Sequence, residues 1–166
     1  MRKIVISVVV LVSCFSQQVV SQTQEQDYSR KAVYLELGGE GVFYSVNFDY
    51  RFSRHFCGRI GFTHFTLEDF FFEDLSITAF PIIAEYLVGG GNHFLELGAG
   101  VIPVWGSSTF RFIKASGDTF TPVGTASIGY RYQPADGGLI FKVGIPVFFS
   151  RTGTGIWGGV SVGYAF

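Results

Sequence analysis

Eight ionisable residues interrupt otherwise apolar stretches of this 166-residue chain: Glu36, Asp49, Arg51, Arg59, Glu85, Glu96, Arg131 and Lys142. Four are acids and four are bases. Charges in equal number, each set among apolar neighbours, suit one task above others. They neutralise one another where water is scarce and an unpaired charge is costly. The stretch VFYSVNFDYRF at 42–52 shows their spacing. Val42, Tyr44, Val46, Phe48, Tyr50 and Phe52 share one parity, while Ser45, Asn47, Asp49 and Arg51 share the other with Phe43. Such alternation is a strand signal, because successive side chains leave opposite faces of the pleat.

The elements that must position these charges repeat the pattern. Strands are expected at 32–39, 41–52, 55–66, 75–88, 92–104, 119–132, 138–149 and 155–166. Their lengths suit tilted membrane strands of roughly 9–11 residues. In each, one face is apolar; the other carries the charges and also Gly61, Gly98, Gly100, Gly129, Gly144 and Gly163. Glycine beside charge suits a narrow lumen that bulky side chains would overfill. The expected fold is therefore all-β, an eight-stranded antiparallel up-and-down transmembrane barrel with its apolar row towards lipid. The rival is a soluble lipocalin-like binder with the apolar row inside. Against it, Tyr50, Phe52, Phe56, Trp105, Tyr130, Tyr132, Trp157 and Tyr164 fall near strand ends, as interfacial girdles do.

Composition agrees with a membrane location. Aromatic residues are 17% and charged residues only 15%, where a soluble domain carries about 25% charge. A net charge of −1 argues against a nucleic-acid partner. Past the N-terminus no apolar run reaches the ~20 residues of a spanning helix. The first residues read as a secretory signal, 1–21, with Arg2 and Lys3 before the apolar run Ile4 to Val12 and cleavage before Gln22. A rival processing site exists, because Leu11-Val12-Ser13-Cys14 is similar to a lipobox that would make Cys14 the lipidated first residue. Residues 22–31 are then a short polar, disordered leader and 32–166 the barrel domain. Cleavage after Ser21 leaves Cys57 alone, which excludes an intrachain disulfide.

Between strands, short turns at 54–55, 89–91 and 133–137 alternate with longer segments at 67–75, 105–120 and 150–155. Only the connection around Gly38-Gly39-Glu40-Gly41 breaks the rule by being short. In LEDFFFEDL, four carboxylates flank Phe70, Phe71 and Phe72. Their spacing matches no calcium loop, so the acids read as solvated. The three phenylalanines suggest a surface contact or a strand running beyond the bilayer. Phe110 and Phe112, beside Arg111 and Lys114, offer a basic counterpart with the same two readings.

Catalytic and cofactor chemistry find little footing. His64 lies within a strand, but Thr63 and Phe65 beside it form no nucleophile–base pair. His55 and His93 fall at turns. Gly89-Gly90-Gly91 is followed by neither Lys-Ser/Thr nor a helix, so it is a turn and not a phosphate loop. No enzyme, cofactor or metal site is expected, and Cys57 alternates onto the lumen side as a packing residue.

The C-terminal GGVSVGYAF has Tyr164 and Phe166 in register with Val160 and Val162. It resembles the signal that outer-membrane barrels present to the barrel assembly machinery. ITAFPIIAEYLVGGGNHFLELGAGV and SIGYRYQPADGGLIFKVGIPVF resemble small outer-membrane β-barrel proteins common in Bacteroidota. The resemblance spans 32–166 and implies residence in the outer membrane, with its lipid and lipopolysaccharide as surroundings. An even strand count then places both termini in the periplasm. No substrate or surface ligand follows from it. The expected role is structural or one of surface interaction, with a charge-plugged lumen. The alternatives are a narrow channel or transporter for small solutes, the lipocalin-like binder, or a lipid-modifying barrel enzyme.

Overall fold

The computed structural model describes residues 28–67, 72–110, 115–151 and 153–166. Its strands are β1 (Lys31–Gly38), β2 (Tyr44–Arg51), β3 (Phe56–Leu67), β4 (Phe72–Ala79), β5 (Ile82–Gly90), β6 (His93–Phe110), β7 (Ala115–Tyr132), β8 (Gly138–Ser150), β9 (Gly153–Ile156) and β10 (Gly159–Ala165). A 3-10 turn, Gly39–Gly41, joins β1 to β2. Every pairing is antiparallel, and β10 closes on β1 through Ala32↔Ala165 to Gly38↔Gly159. Phe166 and Lys31 exchange both backbone hydrogen bonds, at 2.8 and 3.0 Å. The barrel is thus closed by the β1–β10 seam, while β9 pairs with β8 alone.

Eight barrel strands arise from these segments because two are interrupted. β4 and β5 are halves of one strand, both paired with β3 and β6. Pro81, which has no N–H to give a ladder, separates them. Around it the Gly61 N–H donates to the Pro81 carbonyl at 2.8 Å and the Phe80 N–H to the Pro103 carbonyl at 3.1 Å. β9 and β10 are likewise halves of the last strand, parted at Trp157-Gly158 opposite Pro146, whose carbonyl accepts the Trp157 N–H at 3.1 Å.

Strand boundaries differ from the sequence expectation mainly at the end opposite the termini. β6 runs to Phe110 and β7 resumes at Ala115, so most of 105–120 is a paired hairpin and not a loop. Leu67 and Phe72–Leu75 are strand as well, with a register shift between Phe72 and Asp74. The ladders simply continue outward, because Ser, Thr and Gly there satisfy backbone pairing as well as apolar residues do. Phe70, Phe71 and Phe112 lie outside the described residues, as do Cys14 and the segment 1–27.

Two local corrections concern the start of the barrel. Val42 and Phe43 belong to a turn rather than to the strand that alternation suggested, and Val42 takes the left-handed φ of 68°. The leader, expected to be disordered up to residue 31, is tied down at its end. The Ser29 N–H donates to the Ala135 carbonyl at 2.7 Å, and the Arg30 carbonyl accepts from the Arg51 N–H at 2.7 Å.

The outer wall is apolar. Val33, Leu35, Val46, Ile60, Leu97, Val143 and Val162 are among its exposed residues. Aromatic rings gather at both ends of this wall. Tyr50–Phe52, Phe56–Tyr86 and His93–Tyr132 meet near the termini, and Phe62–Phe80, Phe80–Trp105 and Trp105–Phe120 meet at the far end, with centroids 5.0–6.3 Å apart.

Candidate functional site: the charged lumen

Alternation along eight tilted strands sends one parity of each into the lumen. Glu36, Asp49, Arg51, Arg59, Glu85, Glu96, Arg131 and Lys142 all point there and are all buried. The sequence pattern suggests four opposite-sign pairs; the structure instead builds one branched network around three cations.

Arg131 of β7 is its centre. Its Nη1 donates to Asp49 Oδ2 at 2.7 Å, Glu96 Oε2 at 3.1 Å and Glu85 Oε2 at 3.2 Å, while Nε donates to Gln133 Oε1 at 2.8 Å. Lys142, one strand along on β8, reaches Glu96 Oε1 at 2.9 Å and Glu85 Oε1 at 3.1 Å. It also donates to the Tyr34 hydroxyl at 2.9 Å, and that hydroxyl donates to Asp49 Oδ1 at 2.8 Å. Carboxylates from β2, β5 and β6 are thereby held by cations from β7 and β8. Arg131 to Glu96 joins the neighbouring strands β7 and β6, whereas Arg131 to Asp49 spans the lumen from β7 to β2.

The second centre is Arg59 of β3. It reaches Glu36 at 3.5 Å, Glu85 at 3.6 Å and, most closely, Glu40 at 2.6 Å. Sequence reasoning left Glu40 in a short connection and gave it no lumen role. The 3-10 turn instead folds inward and buries it to 4% exposure. Gly39 makes this geometry feasible, since its φ is 61° and a Cβ there would collide with the Glu36 carboxylate. The available signal was Gly38-Gly39-Glu40-Gly41 itself, a charge among glycines in a connection too short for a loop. Glu36 is further fixed by the Ser45 hydroxyl at 2.9 Å, and Ser45 by the Asn47 amide at 2.8 Å.

Arg51 departs from the expected role. It lies between the rings of Tyr28 and Phe94, 4.8 and 5.0 Å from their centroids, and donates to the Arg54 carbonyl at 2.8 Å. Its neighbours are aromatic rings, not carboxylates, so it seals the terminal end of the lumen. Gln133 works beside it, donating to the Ser29 carbonyl and hydroxyl at 3.1 Å.

Asp49, Cys57 and Glu85 place one ligand atom each within 4.8 Å of one another. Arg131 Nη1 already stands against all three, 3.9 Å from the Cys57 sulfur, so the position a metal ion would take is held by a guanidinium. Outside the barrel, the β3–β4 register gives His64 a partner that its chain neighbours did not suggest. Its Nδ1 lies 2.9 Å from the Thr78 hydroxyl, and the Tyr44 hydroxyl donates to the His64 carbonyl. A polar space of about 20 Å³ lies beside Glu36, Arg59 and Lys142, room for about one water molecule.

Fold and site together define a class: a closed eight-stranded barrel, apolar outside and charged inside, the arrangement of small membrane-spanning barrels. Solved structures of that architecture are similar to it. The N-terminal β-barrel domain of Pseudomonas aeruginosa OprF superposes with a TM-score of 0.62 over 85% of this chain and 98% of that one, at 13% identity. Ail, the attachment invasion locus protein of Yersinia pestis, gives 0.52 over 84% and 99%, at 12% identity. Neisserial surface protein A gives 0.50 over 82% and 93%, at 12% identity. At these identities the likeness shows the fold alone. No protein-family model matches the sequence, and no curated protein matches it.

Proposed function

We propose that this chain is an outer-membrane β-barrel whose lumen is plugged by its own ion pairs, serving a structural or surface-interaction role. The observation that carries the reading is the filling of the lumen by Arg131 on Asp49, Lys142 on Glu96 and Arg59 on the inturned Glu40. A conducting pore would leave those groups to water and solute. Eight strands leave an interior that side chains just fill, and here Tyr34 and the inturned Glu40 add to the filling. The apolar outer wall and its two aromatic ends favour lipid as the surrounding solvent. The start of β1 and Phe166 lie at one end of the barrel, which the reading assigns to the periplasm. The Phe166–Lys31 hydrogen bonds close the last strand on the first, and the reading takes the C-terminal residues as the signal for the barrel assembly machinery.

The role is non-catalytic in this reading. His64 has a hydroxyl partner on the outer wall, and among the described residues no carboxylate contacts its ring to complete a triad. Unchanged lipid A mass spectra on overexpression are expected.

Two measurements test the main proposal. The membrane-extracted protein should migrate at a different apparent mass before and after boiling in SDS, as a closed barrel does. Reconstituted in planar bilayers it should conduct little, and Arg59→Ala or Arg131→Ala should open a leak. Steady conductance in the unaltered protein would favour the narrow-channel alternative. Recovery in the soluble fraction would favour the lipocalin-like one.

A further inference from the structure

The barrel end that carries Phe166 has a cationic sector on its outside that the lumen network does not use. Arg54, in the β2–β3 turn, is exposed, and its guanidinium has no ion-pair or hydrogen-bond partner among the described residues. It reaches over to the next turn, where a Cβ added at Gly90 would lie 3.6 Å from Arg54 Nη2. Gly89-Gly90-Gly91, where β5 turns into β6, thus offers the guanidinium backbone and no side chain. Two exposed histidines share the sector. His55 Nδ1 lies 2.9 Å from the Leu87 carbonyl. A carbonyl only accepts, so Nδ1 carries hydrogen and Nε2 is left for another partner. His93 Nδ1 lies 2.6 Å from the Tyr130 hydroxyl. The His55 ring stands 6.0 Å from that of Tyr86, and the His93 ring 5.4 Å from that of Tyr132. Tyrosines near strand ends mark the depth of lipid headgroups. Among the described residues of this end, the one acidic side chain outside the lumen is Asp136, on the β7–β8 turn. Arg30 and Lys31 are further exposed cations there.

We propose that Arg54, His55 and His93 bind the headgroup of an anionic phospholipid in the leaflet at this end, phosphatidylglycerol in its simplest form. The occupant follows from charge and depth: unpaired donors of one sign stand where tyrosines place the phosphates. Arg54 takes the phosphate oxygens as a fork, the geometry that a guanidinium offers. His93 donates through Nε2 when the Tyr130 hydroxyl donates to its Nδ1, and His55 does so as the imidazolium. A zwitterionic headgroup brings its own ammonium to the same cations and binds less well. The inference rests on the outer-membrane reading, because it needs lipid around the wall.

The chain has three histidines, and His64 lies on the outer wall towards the opposite end, so one isotope label reads site and control together. The test is histidine-selective NMR of the protein in phosphatidylcholine nanodiscs, with phosphatidylglycerol replacing a rising fraction of the lipid. Saturable shifts of the His55 and His93 ring signals are expected, with His64 unmoved. Arg54→Gln should weaken the response about fivefold, the scale of one cation near an anionic surface. Because these groups are exposed, binding should also weaken as the Debye length falls from about 30 Å at 0.01 M salt to about 10 Å at 0.1 M. Equal movement of His64 would mean a general surface effect and overturn the proposal. So would equal shifts from inorganic phosphate added to pure phosphatidylcholine discs, insensitivity to salt, or an unaltered response in Arg54→Gln. A barrel with the heat-dependent gel shift but no response at His55 and His93 overturns this inference alone. Recovery in the soluble fraction overturns the outer-membrane reading with it.

Discussion

Glu40, held in the Gly39–Gly41 turn, meets Arg59 of β3 at 2.6 Å, and this contact turns a surface connection into a lid across the lumen. Both side chains are nearly inaccessible to water. Replacing Glu40 with Gln removes the closest counter-ion of a buried guanidinium, leaving Glu36 and Glu85 at 3.5 and 3.6 Å. Breaking a buried pair costs about 3–5 kcal/mol, and the lower end applies because those two acids remain. Urea unfolding in lipid vesicles should show a loss of about 3 kcal/mol.

Arg51 provides the contrast. It is as buried as Arg59 but rests on the rings of Tyr28 and Phe94. Arg51→Met should therefore cost only about 1 kcal/mol, the scale of a cation–π contact, in the same urea assay. Equal losses in Glu40→Gln and Arg51→Met would show that Arg51 shares the ionic network after all.

Alternation made the direction of each lumen charge legible, since parity alone decides which face a strand residue joins. Partner choice was not legible. It depends on how far each strand is staggered against the next, and no local pattern reports that. Thus Arg131 gathers Asp49, Glu85 and Glu96 from distant parts of the chain, whereas Asp49 and Arg51, neighbours on one face, do not pair with each other. The interruption at Pro81 follows from that proline itself, and the one at Trp157-Gly158 lies opposite Pro146 of the adjoining strand, which a strand-by-strand reading passes over. Glu40 escaped because short connections are expected to point at solvent, and only the Gly39 backbone at φ 61° permits the inward fold.

A branched network is expected to show strong coupling. In a double-mutant cycle of Arg131→Met and Asp49→Asn, the interaction energy should be about 1–3 kcal/mol, as for residues sharing one buried network. Additive losses would mean that the 2.7 Å contact between them contributes little beyond filling space.

Closure of the barrel depends on Gly163 in β10. A Cβ there would collide with the Val33 carbonyl and with Tyr34 on the facing strand, whereas one at Gly106 would meet nothing within 4 Å. Gly163→Val should sharply reduce the fraction that shows the heat-dependent gel shift. Gly106→Ala should leave that fraction unchanged.

Val162 and Ser161, adjacent in β10, separate the two candidate solvents of the outer wall. Val162 is 51% exposed among apolar neighbours, while Ser161 points into the lumen. If lipid surrounds the barrel, Val162→Arg places a cation at mid-strand in hydrocarbon, which costs about 2–4 kcal/mol near a bilayer midplane. Ser161→Ala changes little, because no charge is moved. If water surrounded the barrel, Val162→Arg would instead be neutral within about 0.5 kcal/mol, as surface substitutions usually are. Folding titrations of both variants in vesicles check this. The expected outcome is a large loss for Val162→Arg and a small one for Ser161→Ala, because the outer wall offers an arginine no counter-ion and, in lipid, no water.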